Sequence, residues 1–301
     1  MSKLANQFRN KREKPYHWLM LISGALLWFA IYLFVVTAMG NPKLREYAIL
    51  IVQYGIMFGI FHWLAGAAYR ATAYGNMVLL GPKQFPRLHA MVVEASEAIG
   101  LAVPPETFVY NSNGVFNAFA RRLFGGGRYV FLTSALVEAN DDAQVRFVIG
   151  HEIGHHAAGH LNPWLNFIKL PAHFVPFLGK AYSRSREYTC DRIGTYLSKD
   201  AAASRSALQM LGCGCRRLNA EMNCEAFVAQ EQMVPRVFGF LTEINRSHPR
   251  LTRRVAAINA DVAGRGYAAA AQQTREIGTA RVGKACWWQC TPPCSPCPLK
   301  N

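Results

Sequence analysis

Two long apolar runs near the amino terminus dominate the hydropathy pattern of the chain. Trp18 to Met39 and Ala48 to Ala68 contain no acidic or basic residue. Each is close to the ~20 residues that a helix needs to cross a bilayer. A cleaved signal peptide is the alternative for the first run, but its apolar stretch exceeds the usual ~7–15 residues and the second run follows directly. The pattern therefore predicts two N-terminal transmembrane helices.

After these runs, helix-like and strand-like patterns alternate. Pro82 to Gly100 has helical periodicity, whereas Thr107 to Tyr110 and Arg128 to Thr133 are rich in residues that favour strands. Further helices are predicted over residues 140–158, 185–197, 202–218 and 251–260. The expected fold is mainly α with a small β-sheet, and its predicted parts are a membrane anchor (1–75), a folded domain (76–262) and a low-complexity tail (263–301).

The chain is basic, and its charges are arranged around the apolar runs. Lys and Arg number 33 against 18 Asp and Glu, a net charge of +15, while charged residues make up only 17% of the chain. That fraction is below the roughly 25% of soluble domains and is typical of contact with lipid. The densest early basic cluster, residues 3–14, directly precedes the first run. The amino terminus and everything after about Tyr69 are therefore predicted to be cytoplasmic.

An excess of basic residues is also typical of proteins that bind nucleic acid. The sequence has no groove-reading helix and no zinc-finger module, and its basic residues are scattered. We therefore expect no nucleic-acid partner.

The eight cysteines fit a reducing compartment. The first four are interpreted as ordinary thiols: Cys190, Cys213, Cys215 and Cys224. The others are clustered in the tail: Cys286, Cys290, Cys294 and Cys297. This cluster is either a zinc-binding module or a dispensable appendage, and its single C-x-x-C spacing favours the appendage.

The candidate chemistry is concentrated in the sequence from His151 to His155, which reads His-Glu-Ile-Gly-His. Two histidines four residues apart leave a helix on the same face, about one turn from each other. This spacing predicts two ligands of a zinc ion, with Glu152 between them as the catalytic base. Small Gly150 and Gly154 allow another element to pack close to the metal.

A catalytic zinc site usually has three protein ligands, so a further ligand is expected. A third histidine of the metzincin type is absent, because position 161 is Leu. A carboxylate on a later helix is the other common solution, and Glu187 is the candidate. Asp191, one turn further on, can orient a ligand histidine by accepting its second N–H. The alternative for Glu187 is a solvated surface acid.

Leu161 to Tyr182 is a third apolar stretch, interrupted by three prolines. If His155 and Glu187 share one metal, a single membrane crossing between them is impossible. Residues 156–186 are too few for two ordinary spans of ~20 residues each. A loop that touches lipid and a segment of the protein core remain as alternatives.

The motifs described so far, in this order, resemble those of the HtpX-like and CAAX-prenyl-endopeptidase-like membrane zinc peptidases of the gluzincin group. The resemblance covers roughly residues 75–260 together with the two leading spans. Five segments carry it: Asn117-Ala118-Phe119-Ala120, residues 128–133, residues 151–155, residues 185–191, and Ser247-His248-Pro249 followed by Arg254.

The resemblance implies a zincin-like catalytic domain over residues 76–262. It implies that Asn117 to Ala120 lie beside an edge strand that pairs with the substrate backbone. It also implies that His248 lies near the zinc and stabilises the oxyanion, while Arg254 helps to organise the site. Similar proteins usually carry two further membrane segments before the glutamate ligand, and this chain has only the proline-rich stretch there.

The sequence thus predicts a membrane-embedded zinc endopeptidase with one Zn²⁺ per chain, acting on polypeptides in membrane protein quality control. Membrane lipid and a polypeptide substrate are the expected partners. The predicted location is a cell membrane, taken as a bacterial inner membrane, with several crossings and a cytoplasmic catalytic domain. A catalytically silent zinc-binding membrane scaffold is the alternative, although such a site has no need of Glu152. Oligomeric state and cleavage specificity stay open.

Overall fold

The structure, a computed structural model, describes residues 2–122 and 127–265. Residues up to Asp261 form one compact unit. Nearly all of the predicted tail (263–301), including its four cysteines, lies outside the described residues. The other four cysteines are free thiols.

Two long helices, α1 (Glu13–Gly40) and α2 (Arg45–Asn76), contain the two apolar runs. Both are long and apolar enough to cross a membrane, and most of their large apolar side chains are exposed. Each helix extends beyond its apolar run, because polar residues such as Lys14 and Arg70 continue a helix as readily as apolar ones.

The remaining helices follow in chain order. Their bounds are α3 (Pro86–Ala98), α4 (Ser134–Ala139), α5 (Asp142–Ala157), α6 (Pro163–Lys169), α7 (Leu178–Ser198), α8 (Ala201–Cys213), α9 (Arg216–Glu221), α10 (Cys224–Ala229), α11 (Arg236–Ile244) and α12 (Leu251–Arg265). The predicted mainly helical fold with a small sheet is confirmed.

One predicted helix is interrupted in the structure, and another is present as a single element. The segment 202–218 forms α8 and α9, because Gly214 adopts a positive φ of 66° that ends α8. The segment 140–158 is α5 alone, preceded by the separate short helix α4. Asp141 caps α5 and forms a capping box with Gln144, which fixes where the helix begins.

A four-stranded sheet lies in the order β1 (Val78–Leu79), β2 (Glu106–Tyr110), β4 (Arg128–Thr133) and β3 (Ala118–Arg122). β4 is parallel to β2 and antiparallel to β3. β3 therefore lies at an edge of the sheet. His156 of α5 donates from Nε2 to the Tyr129 carbonyl oxygen at 3.0 Å, which attaches that helix to β4.

Helices α5 and α7 pack closely at glycines. A Cβ atom on Gly150 would lie 3.1 Å from the Gly194 Cα, and one on Gly194 would lie 2.9 Å from the Phe147 carbonyl oxygen. Gly154 faces Cys190 and Ile193 of α7 in the same way. The expectation that small residues admit a neighbouring element is confirmed, and that element is α7.

The proline-rich stretch 161–182 contains α6, a 3-10 turn at Pro171–Phe174 and the first residues of α7. It packs along α1. Trp28 Nε1 donates to the Phe167 carbonyl oxygen at 3.0 Å, and their rings stack with centroids 4.9 Å apart. Gly24 allows this approach, since a Cβ atom there would collide with the Ile168 carbonyl oxygen.

Candidate metal centre

The side chains of His151 and His155 leave α5 on the face that packs against α7. The Nε2 atoms of His151 and His155 lie 3.5 and 3.7 Å from the two carboxylate oxygens of Glu187 on α7. His151 and Glu187 are almost fully buried. The structure thus brings together the three residues that the sequence offered as metal ligands.

This donor set fits a zinc ion. Zinc binds imidazole nitrogen and carboxylate oxygen at about 2.0–2.2 Å, so two ligands of one tetrahedral ion are separated by about 3.3–3.6 Å. The distances between Glu187 and the two imidazoles are close to this range and long for direct hydrogen bonds. The pKa of Glu187 stays well below its usual range, because the effects of His151 and Arg254 outweigh that of burial. An anionic carboxylate is the form that binds a metal.

Cys190 offers a competing ligand, since its sulfur lies close enough to both imidazoles to complete a His-His-Cys set. Burial raises the pKa of its thiol well above the usual value, which disfavours the thiolate that a metal requires. Its sulfur also lies 3.6 Å from His160 Nδ1. We therefore favour Glu187 as the third donor.

Behind His151 lies a buried pair of opposite charges. His151 Nδ1 lies 3.0 Å from Asp191 Oδ1, and Arg254 donates to both oxygens of Asp191 at 2.8 and 2.6 Å. Because the ionised carboxylate only accepts, His151 donates from Nδ1. When His151 is neutral, as a metal ligand must be, its hydrogen is therefore on Nδ1 and Nε2, the atom that faces Glu187, has a free lone pair.

Glu152 lies beside His151 and Glu187, but its electrostatic environment differs from that of Glu187. Burial raises its pKa to about 7, and the Ala120 backbone acts in the opposite direction. Two nearby carboxylates thus have pKa values shifted in opposite directions. This is a common arrangement where one carboxylate stays charged and another exchanges a proton.

His248 lies at the mouth of the cavity. Its Nε2 is 3.6 Å from Glu187 Oε2, and 64% of its side chain is exposed. The cavity has a volume of about 140 Å³ and is also lined by Asn117, Ala118 and Arg254. The cavity therefore brings together distant parts of the sequence, since Asn117 and Arg254 are 137 positions apart.

The predicted substrate segment forms the start of the edge strand β3. The Asn117 carbonyl oxygen accepts from the Thr133 backbone N–H at 3.1 Å, and Ala118 pairs with Leu132 in the register of the sheet. Phe119 stacks on Phe131 at 4.9 Å, within an aromatic cluster. The Phe119 side chain therefore packs within the protein against Phe131.

Sequence reasoning missed a second buried group beside the site. His160 Nδ1 lies 3.2 Å from His155 Nδ1, and His160 Nε2 lies 3.1 Å from Glu13 of α1. The one available signal was weak: Glu13 is the only acidic residue among the first 45 residues.

Comparison with curated proteins gives consistent matches to proteases. The chain is 30% identical over 170 residues to a plastoglobule-localized metallopeptidase 48 of Arabidopsis thaliana, covering 52% of this chain and 48% of that protein. It is 34% identical over 128 residues to a protease HtpX homolog of Pyrobaculum aerophilum, covering 42% of this chain and 35% of that protein. The chain thus spans about half or less of the length of these two relatives.

Two more matches cover longer parts of the chain. A protease HtpX homolog of Tropheryma whipplei is 26% identical over 250 residues, covering 67% of this chain and 84% of that protein. The crystal structure of S. mikatae Ste24p matches with a TM-score of 0.48 and 14% identity, covering 80% of this chain and 66% of that one.

A family model settles the relationship. The model of peptidase family M48 matches residues 82–167 and 163–262, together more than half of the 301 residues. The matched region contains the candidate site residues His151, Glu152, His155, Glu187, Asp191 and His248. The chain belongs to peptidase family M48.

Proposed function

We propose that the chain is a membrane-bound zinc endopeptidase with one Zn²⁺, held by His151, His155 and Glu187. The observation that carries this proposal is the cluster in which the imidazole nitrogens of His151 and His155 face one buried carboxylate, next to a cavity that Glu152 lines. When bound, the ion supplies a Lewis acid that lowers the pKa of a water molecule toward ~7 and polarises a carbonyl group.

The protein groups then have separate tasks. The Glu152 carboxylate accepts a proton from the attacking water and delivers it to the leaving amine, a role that suits its raised pKa. His248 donates from its imidazole to the oxygen that becomes negative in the transition state. Asp191 and Arg254 hold His151 in the tautomer whose Nε2 is free.

The edge strand β3 supports binding of an extended polypeptide. Its Asn117 end lines the cavity, and in an edge strand alternate backbone groups point away from the neighbouring strand. A substrate strand that pairs with residues 118–122 brings a peptide bond toward Glu152. We assign the Asn117-to-Ala120 segment this role through its backbone, because the Phe119 side chain packs against Phe131.

The arrangement of α6 supports a position partly within the bilayer. Gly24 and Trp28, which contact residues 167 and 168, lie about 9 and 15 Å along α1 from Trp18 at 1.5 Å per residue. Trp164 and Phe174 are 73% and 88% exposed. We propose that residues 163–177 enter the lipid beside α1 and that the catalytic domain is cytoplasmic. Substrates near the bilayer, in membrane protein quality control, suit this position.

Replacement of Glu152 by Gln tests the enzyme against the scaffold. The variant keeps the shape of the side chain and removes the base, so it should bind stoichiometric zinc while turnover of an unfolded membrane-protein substrate in detergent falls by about 10²–10⁴-fold. The exposed carboxylate Glu94 provides a matched control, and Glu94→Gln should cleave like the unmodified chain. Equal cleavage by the Glu152 variant and the unmodified chain would contradict the mechanism, and cleavage by neither would favour the scaffold.

A further inference from the structure

The carboxylate of Glu13 is fully buried at the start of α1, ahead of the first apolar run. It pairs with Arg9 and accepts a hydrogen bond from the Thr189 hydroxyl. The backbone N–H of Asn10 donates to the same hydroxyl at 2.9 Å, and Arg9 also donates to the Ala158 carbonyl oxygen at 2.5 Å. The amino-terminal segment is therefore docked beside α5 and α7 through polar contacts.

From Glu13 the contacts continue toward the metal centre through His160. This histidine is 1% exposed, and its Nε2 lies 3.1 Å from Glu13 Oε1. Its Nδ1 lies 3.2 Å from Nδ1 of His155. Two short contacts thus connect a carboxylate of the amino-terminal segment to a residue that we propose as a metal ligand.

The positions of the protons along this path follow from the charge of Glu13. Glu13, paired with the Arg9 cation, is ionised and only accepts, so His160 donates from Nε2. A neutral His160 then accepts at Nδ1, where His155 Nδ1 at 3.2 Å is a closer donor than the Cys190 thiol at 3.6 Å. His155 Nε2, which faces Glu187 at 3.7 Å, is left with a free lone pair.

A similar chain of an arginine and a carboxylate lies behind His151. Arg254 holds Asp191, and Asp191 accepts directly from His151 Nδ1. On the second side Arg9 holds Glu13, and the path passes through His160 before it reaches its histidine. Each imidazole therefore has a buried carboxylate behind it, itself paired with an arginine. Outer partners of this kind fix the tautomer and ring orientation of ligand histidines.

We propose that Glu13 is a positioning residue of the metal centre, acting through His160 on His155. The segment ahead of the first apolar helix is then part of the site. This inference rests on the proposed role of His155 as a metal ligand.

The test uses the full-length chain in detergent, stripped of metal and titrated with zinc against a chelator of known affinity. Glu13→Gln keeps an acceptor oxygen and loses the charge, whereas Glu13→Leu loses both. Zinc affinity should fall in the order unmodified chain, Gln, Leu, and reach the about 10–100-fold loss typical of lost outer partners. Glu94→Gln, a surface substitution, should leave zinc affinity unchanged.

Cobalt substitution and a double-mutant cycle separate positioning from folding. The visible absorption bands of bound Co²⁺ should change in Glu13→Gln and in His160→Asn. The two substitutions should be non-additive in zinc affinity, because they interrupt one path. Unchanged zinc affinity in Glu13→Gln, or additive losses in the double variant, would overturn the proposal. The cycle with His160→Asn keeps the test decisive if the Leu variant fails to fold.

A further pair of variants distinguishes this failure from failure of the proposed function. His155→Ala and Glu187→Ala should lose zinc in the same assay. If they do and Glu13→Gln does not, the proposed metal site stands and the role of Glu13 is wrong. If they keep zinc, the site itself is wrong.

Discussion

At the scale of single residues, Glu187 and Cys190 are the alternative third ligands of the metal, and they lie one turn apart on α7. Glu187→Ala should lose stoichiometric zinc, because two imidazoles alone leave a catalytic zinc one protein ligand short. Cys190→Ser should keep zinc, because the two oxygens of Glu187 already face both imidazoles and supply the third donor. Metal analysis of the two purified variants measures the difference. Zinc loss in the serine variant with retention in the alanine variant would make Cys190 the ligand.

The residues that could be predicted from sequence are those whose partners are set by helix geometry. Four-residue spacing put His151 and His155 on one face of α5, and the same spacing related Glu187 to Asp191 on α7. No local rule connects His160 with Glu13, which lie 147 positions apart. Their contact depends on how α1 docks against α5 and α7, and only the tertiary structure contains that information.

At the scale of elements, the packing of α5 against α7 sets the distance between the imidazoles and Glu187. Gly194→Ala should separate the two helices, because the added Cβ would lie 2.9 Å from the Phe147 carbonyl oxygen and 3.1 Å from the His151 backbone nitrogen. Overpacking of this kind costs about 1–3 kcal/mol in the free energy of unfolding. Zinc affinity should fall as well. Thermal unfolding of the metal-free protein and a chelator titration measure the two effects.

Gly75→Ala is the matched control, because a Cβ atom on this helical glycine of α2 meets nothing within 4 Å. It should leave zinc affinity and unfolding unchanged or slightly improved, as expected for alanine in a helix. Equal behaviour of the two variants would show that the contact between α5 and α7 tolerates a methyl group.

Element types were predictable where the periodicity was long, and their ends were predictable only where a cap was visible. An aspartate ahead of an apolar periodic run is a recognisable N-cap signal, and Asp141 has this role at the start of α5. The break at Gly214 was missed, since the residues on both sides continue the apolar period and only the positive φ of this glycine ends α8. β3 was also missed as a strand. It has only five residues, all of them half-buried, so it lacks the alternation of buried and exposed side chains that marks a strand.

At the scale of the whole molecule, single cysteines in a cysteine-free background test both the orientation and the depth of α6. A membrane-impermeant maleimide should label Lys43→Cys, between the two apolar helices, in intact cells. It should label Met233→Cys, an exposed position within the region that matches family M48, only after permeabilisation. Phe174→Cys should stay unlabelled until detergent is added, because thiols in lipid do not form the reactive thiolate.

Two outcomes would contradict this arrangement. Labelling of Lys43→Cys only after permeabilisation would invert the orientation predicted from the basic cluster. Labelling of Phe174→Cys at the rate of Met233→Cys would put residues 163–177 in water. The sequence left the position of this stretch open, because its apolar residues suit either lipid or a protein core. The contacts of Gly24 and Trp28 favour lipid.

The burial of Glu13 also has a consequence for the order of events during biosynthesis. Glu13 is synthesised before Thr189, which donates to it and lies 176 residues later in the chain. At about 5–20 residues per second, this interval lasts roughly 9–35 s. The first apolar helix therefore enters the translocation machinery while the carboxylate is still in water. If Glu13 orients His155 as we propose, a complete metal centre forms only after both apolar helices and α7 have been synthesised, so that proteolytic activity begins with the chain already at its membrane.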